Sequence, residues 1–141
     1  MAWDLVLPSA KLYISHVTRP PTSMARAVAI HVVFAKWCPH CVSVIDAMRK
    51  VGEELNIPCV LYDIDTPAVE KADELVRAHG DWKPDYLIPQ IFIEFDDGTY
   101  MHVLTGDPRG VAYTQKLMDS FLQSNLYSAL RAKAKASPAS I

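Results

Sequence analysis

Cysteine is scarce in this chain. Three cysteines in 141 residues are too few for a disulfide scaffold, so the fold has to rest on a buried apolar core, for which the length suffices. An excess of either charge is also lacking. Fourteen Lys and Arg stand against 16 Asp and Glu, a net charge of −2, which gives no reason to expect a nucleic acid or an anionic membrane as partner. No apolar run is long enough to span a bilayer, and Met1-Ala2-Trp3-Asp4-Leu5-Val6-Leu7-Pro8 lacks the basic flank and apolar stretch of a secretion signal. The expected location is the cytoplasm. No internal repeat is visible. What remains is the composition of a soluble globular domain, with 50% hydrophobic and 21% charged residues.

The apolar pattern predicts alternating strands and helices. Residues 11–17 alternate as a strand does, with Leu12 and Ile14 on one face, and Thr18-Arg19-Pro20-Pro21-Thr22-Ser23 then breaks regular structure. Residues 28–34 are apolar almost throughout, which predicts a central strand covered on both faces. From Pro39 the period becomes helical, with Val42, Ile45, Met48 or Gly52, and Leu55 on one stripe. Pro58 ends that unit, and residues 59–64 read as a second buried strand. Pro67 is expected to open a second helix through Val69, Ala72, Leu75, Val76 and Ala78, stopped by Gly80. Residues 90–95 and 99–105 form a hairpin around Asp97-Gly98. A last helix runs from about Arg109, with Val111, Leu117, Met118, Phe121 and Leu122 inward and a continuation towards Leu126 and Leu130; residues 131–141 are expected to fray. A strand–helix–strand order makes the first two of these core strands parallel.

The chemistry concentrates at Trp37-Cys38-Pro39-His40-Cys41, directly after the apolar run of residues 28–34. Two thiols separated by two residues can close a small disulfide ring where a strand ends and a helix starts. The helix N-terminus adds unpaired N–H groups and partial positive charge, both of which stabilise a thiolate. Proline suits the first helical turn because its missing N–H has no partner to lose there. Cys38, at the helix start and nearest the exposed end, is the candidate nucleophile, and Cys41, one turn on and shielded by the helix, the candidate resolving thiol. Cys59 lies in an apolar strand pattern, Ile57-Pro58-Cys59-Val60-Leu61-Tyr62, and reads as a small buried hydrophobe rather than a second redox centre.

The segment Phe34-Ala35-Lys36-Trp37-Cys38-Pro39-His40-Cys41 resembles the active-site stretch of the thioredoxin superfamily. Leu87-Ile88-Pro89-Gln90-Ile91-Phe92-Ile93 resembles the same family's apolar-proline-strand segment, in which the proline follows a cis bond. Phe95-Asp96-Asp97-Gly98 is similar to its tight turn and Leu104-Thr105-Gly106 to its later strand-ending glycine, so the resemblance covers roughly residues 27 to 126. It implies an α/β thioredoxin fold: a central mixed sheet of four core strands plus an N-terminal strand, with helices on both faces. The implied organisation is an N-terminal strand and Pro-rich loop over 1–26, a thioredoxin-like domain over 27–126, and a helix end with a flexible tail over 127–141.

The implied activity is that of a protein disulfide oxidoreductase, with disulfide reduction as the expected direction. Cys38, Pro39, His40 and Cys41 would carry the chemistry, Trp37, Ile88 and Pro89 would contact substrate, and no cofactor or metal would be needed. Trp37 could alternatively pack as core. Partners would be disulfide-bearing proteins and a thioredoxin-reductase-like or glutathione-based system that recharges the dithiol. The chain also departs from the family. Pro39-His40 is the pair found in strongly oxidising periplasmic relatives, whereas reducing thioredoxins carry Gly-Pro; an imidazole beside the thiolate stabilises the reduced form and raises the reduction potential. On that basis Cys38 is expected in the lower part of the roughly 3.5 to 7.5 pKa range of such motifs. Val32 stands where thioredoxins bury an acid, Leu61 where a lysine often neighbours it, and Asp46 where a proline kinks the helix.

Three other readings compete. A zinc site needs four ligands, and beside Cys38, His40 and Cys41 there is no second Cys/His cluster, since His16, His31, His79 and His102 are scattered; a metal would have to be shared between chains. Covalent haem attachment in its usual form is excluded because Val42 follows Cys41. A non-catalytic interaction module on the same fold remains the main alternative, and a dithiol peroxidase or arsenate-type reductase has no further motif to support it.

Overall fold

Valine, isoleucine and phenylalanine crowd residues 27–34, and this segment forms β1 (Ala27–Phe34), an interior strand of a four-stranded mixed sheet. The computed structural model describes residues 25–136; the strand expected at 11–17 and the Pro-rich loop after it lie outside the described residues. β2 (Cys59–Asp63) runs parallel to β1, and β3 (Gln90–Phe95) runs antiparallel on its other side, paired in turn with antiparallel β4 (Tyr100–Thr105). The order is β2-β1-β3-β4. Four helices complete the described chain: α1 (Pro39–Leu55), α2 (Val69–His79), α3 (Val111–Leu122) and α4 (Asn125–Ala136).

Side chains alternate across the sheet, so each face carries its own core. On one face Ile30, Val32, Ile91 and Ile93 pack against Val44, Met48, Val51 and Leu55 of α1, Met118 and Phe121 of α3, and Tyr127 and Leu130 of α4. On the other, Val33 and Phe92 pack against Ala72, Leu75 and Val76 of α2. Helices therefore cover both faces, as expected, and none of them is long and apolar enough to cross a membrane among the described residues.

Several expected positions move. The buried stripe of α1 is Cys41, Val44, Met48, Val51, Gly52 and Leu55; Val42 is 69% exposed, because a helix turning 100° per residue with Cys41 and Val44 inward carries position 42 off the stripe. β2 is the outer strand of the order, so Cys59 and its neighbours are half-buried or exposed rather than fully covered. α2 starts at Val69, two residues later than expected, after a turn in which Thr66 Oγ1 accepts the Ala68 N–H at 3.2 Å. Ala78 is exposed on its outer side. In α3 the inward stripe is Thr114, Met118 and Phe121, which leaves Val111 and Leu117 outside.

The last expected helix is two helices. Ser124 separates them: its Oγ accepts the Tyr127 N–H at 3.1 Å, which caps α4, while its hydroxyl donates to the Phe121 carbonyl at 2.6 Å. Of the residues expected to fray, 131–136 are helical, since α4 continues to Ala136; 137–141 lie outside the described residues. Tyr127 and Leu130 are buried, the Tyr127 hydroxyl donates to Glu54 of α1, and Arg131 lies 3.6 Å from the same carboxylate. The packed unit thus extends past residue 126.

Candidate functional site

β1 ends at Phe34, a short turn follows, and Cys38 occupies the N-cap of α1 with φ −87° and ψ 112°. Pro39 opens the helix, and neither a side-chain cap nor an acidic residue stands in the first turn. The positive end of the helix dipole is therefore not offset by a local carboxylate, which favours negative charge on a sulfur placed there. The turn is closed by backbone bonds: Cys38 N–H donates to the Ala35 carbonyl at 3.2 Å, and Cys41 N–H donates to the Cys38 carbonyl at 3.1 Å.

Both thiols are free and buried. Cys41 is 1% exposed and Cys38 only 3%, so the expectation that Cys38 sits at an exposed end is corrected. The cause is packing: Ala35, Cys38 and Cys41 form a small cluster against which Phe34, Ile45, Ile64 and Ile88 close. The two sulfurs differ electrostatically. Burial first, and then the hydrogen bond to the Cys38 side chain, push the Cys41 thiol far above the ordinary cysteine range, against a smaller lowering by the Ala35 backbone. Both influences favour the protonated form of Cys41 beside the Cys38 sulfur.

The segment bearing Pro89 meets this cluster through Ile88. The Ile88–Pro89 bond is cis, as the resemblance implied, and Pro89 is buried. Its placement depends on Gly106, whose N–H donates to the Pro89 carbonyl at 2.8 Å. A Cβ at Gly106 would lie 2.3 Å from the Ile88 carbonyl oxygen, so no other residue fits. Gln90 ties down the loop before it: the fully buried amide donates to the Asp81 carbonyl at 3.1 Å and the Leu87 carbonyl at 3.0 Å, and its oxygen accepts the Asp81 N–H at 3.0 Å. A Cβ at Gly80 would fall 2.3 Å from that oxygen.

Trp37 is not core. It is 67% exposed, and its indole N–H donates to Asp65 at 2.8 Å, which fixes the ring at the surface beside the dithiol. The imidazole of His40 faces α3, where Nδ1 is 2.7 Å from Thr114 Oγ1. Thr114 is 1% exposed and also accepts the Asp107 N–H at 2.8 Å. Asp107 pairs with Arg109 at 2.7 Å, and hydrogen bonds from Arg109, with lesser help from His40, hold its carboxyl down to about 2. Val32 is fully buried and Leu61 packs half-buried against the same core.

Thr114, Gln90 and Asp65 were not singled out by the sequence reading. The one signal for Thr114 is a polar residue on the inward stripe of an otherwise apolar helix face. The remaining histidines have partners of their own. His31 is buried, with Nε2 at 2.9 Å from Glu94 and Nδ1 at 2.7 Å from the Tyr62 hydroxyl; His79 stacks on Tyr100 with centroids 4.2 Å apart; His102 Nε2 lies 2.8 Å from Thr105 Oγ1. His16 lies outside the described residues. Among the described residues no three His, Cys, Asp or Glu side chains gather as a metal site. Cys59 is half-buried on β2, where burial raises its thiol above the ordinary range, consistent with a structural thiol. Neither a family model, nor a curated protein, nor a solved structure matches this chain.

Proposed function

We propose that the chain has the thioredoxin fold and is a thiol–disulfide oxidoreductase that reduces disulfides in other proteins. The observation that carries this reading is the asymmetric thiol pair: Cys38 at the N-cap of α1, and beside it Cys41, kept protonated and hydrogen-bonded to the Cys38 sulfur. The strand order β2-β1-β3-β4 and the cis Ile88–Pro89 bond against the dithiol support it further.

Catalysis starts with loss of the Cys38 proton. The resulting thiolate is stabilised by the helix terminus and by the Cys41 S–H. It attacks one sulfur of a substrate disulfide; that S–S bond breaks, the other substrate sulfur leaves as a thiolate and takes up a proton, and Cys38 is left in a mixed disulfide. Cys41 then loses its proton to water or to the departing thiolate and attacks the Cys38 sulfur. The second substrate thiol is released, and the Cys38–Cys41 disulfide retains the oxidising equivalent. Two electrons have moved to the substrate, and an external dithiol or glutathione system restores the thiols. Burial of both sulfurs requires the Ile88 side chain, which packs against them, or the first turn of α1 to give way when a substrate docks. The reading calls for a reducing compartment, the cytoplasm.

Reduction of a protein disulfide substrate by the dithiol-recharged protein tests the proposal. Cys38→Ser is expected to abolish turnover, and Cys41→Ser to arrest it as a mixed disulfide visible by mass. Equilibration with glutathione buffers is expected to give a reduction potential near about −270 mV, the reducing end of the range; a value near about −120 mV would make the protein an oxidant instead. If Cys38→Ser leaves the effect on a partner intact, the chain is an interaction module and the redox reading is wrong.

A further inference from the structure

A histidine between the two cysteines ought to make the dithiol oxidising, because it stands in the first turn of the same helix as the thiolate. The structure shows His40 occupied elsewhere. Its Nδ1 is 2.7 Å from Thr114 Oγ1 on α3, whereas the Cys38 side chain is hydrogen-bonded to Cys41. Thr114 is held for this task from two sides. It is 1% exposed on the inward stripe of α3, and its oxygen already accepts the Asp107 N–H at 2.8 Å. With one lone pair engaged by that N–H, the hydroxyl has its proton to give to His40 Nδ1, 2.7 Å away. In that arrangement the bond runs from O–H to Nδ1 and the ring carries a proton on Nε2. Asp107, pinned by Arg109 at 2.7 Å, fixes the amide that orients Thr114.

We propose that Thr114 is a positioning residue that draws His40 onto α3 and away from the Cys38 sulfur, and so sets the dithiol towards reduction despite the Pro39-His40 pair. The proposal rests on the redox reading of the site. It accounts for a chain in which an otherwise thioredoxin-like frame carries the dipeptide of oxidising relatives. Freed from Thr114, the imidazole can turn to the thiolate and stabilise the reduced form.

The test is the Cys38–Cys41 equilibrium with glutathione in four proteins: wild type, Thr114→Val, His40→Ala and the double variant. Thr114→Val is expected to favour the dithiol about tenfold, which is about 30 mV upward for a two-electron couple. Thr114→Ser, which keeps the hydroxyl, is expected to stay at the wild-type value. In the His40→Ala background the same Thr114→Val change is expected to have no effect, since the residue acts through the imidazole. An equal shift with and without His40 would mean a merely structural role and would overturn the proposal, as would no shift at all. The ring nitrogens of His40, read by long-range proton–nitrogen NMR on the reduced protein, give an independent answer. Unprotonated Nδ1 in the wild type and a changed Nδ1 signal in Thr114→Val are expected; identical spectra overturn the contact even if no bridge forms. Absence of a bridge in every variant, with the NMR difference present, overturns both the proposed function and the redox role assigned to Thr114, and leaves the Thr114–His40 contact standing.

Discussion

Burial and the bond to Cys38 both raise the Cys41 thiol, so each residue of the dithiol has its character from neighbours that differ in origin. The helix terminus acting on Cys38 is local and was legible in Cys38-Pro39-His40-Cys41. The partners of His40 and Trp37 are not local: Thr114 lies 74 positions from His40 and Asp65 lies 28 from Trp37. No periodicity in one segment can announce such a contact. Gly106 shows the intermediate case. It was noticed as a strand-ending glycine, but its reason is spatial, since a Cβ would meet the Ile88 carbonyl oxygen at 2.3 Å and Pro89 Cδ at 2.9 Å. Backbone cannot yield as a flexible side chain does, so Gly106→Ala should push the 88–89 segment off the dithiol. The expected cost is about 1–3 kcal/mol, read as a Tm several degrees lower, together with slower disulfide reduction. Unchanged Tm and unchanged turnover would show that the segment has slack.

At the scale of elements, strands and helices were legible where one face dominates the pattern. β1 and the α1 period stood out because their buried side chains recur at the spacing of the element. The errors arose where a residue is apolar but sits beside the stripe, as with Val42, Val111 and Leu117, or where an element's place in the sheet decides its burial, as with β2 at the edge. The boundary between α3 and α4 escaped notice because Gln123 and Ser124 are ordinary polar residues, and only the capping bonds of Ser124 reveal the break. The same break lets α4 fold back on α1. An alanine-rich stretch with three cationic residues, Arg131, Lys133 and Lys135, would suggest a solvated end, but Tyr127 and Leu130 point into the main core. Leu130→Ala is therefore expected to destabilise by about 2–3 kcal/mol, the low end for a buried leucine because it lies at the core's edge. Leu126→Ala, at a half-buried position, should cost less. Denaturant midpoints decide the comparison, and an equal cost for both would mean that α4 is not docked through Leu130.

In the whole molecule the two cores do different work. The core under α1, α3 and α4 holds the elements that carry Cys38, His40 and Thr114, whereas the one under α2 is smaller and borders a polar cluster of His31, Tyr62, Glu94, His79 and Tyr100. His31 has both ring nitrogens engaged there, Nδ1 at 2.7 Å from the Tyr62 hydroxyl and Nε2 at 2.9 Å from Glu94. His79, stacked on Tyr100 near Lys71 and Glu74, is held below the ordinary histidine range by burial first and by the positive form of His31 second. The folded protein therefore binds a proton at His79 less readily than the unfolded chain does. Its contribution to stability is full above the unfolded value of about 6.5 and is lost as pH falls below it, until the folded group also titrates. The denaturant midpoint should accordingly drop between pH 7.5 and 5.5, and His79→Gln, which cannot charge, should drop less over the same range. Because α2 and β4 meet only on this face, the loss should leave the dithiol side intact at first, with the Cys38–Cys41 equilibrium unchanged while the midpoint falls. An equal drop in both proteins would assign the acid sensitivity to groups other than His79.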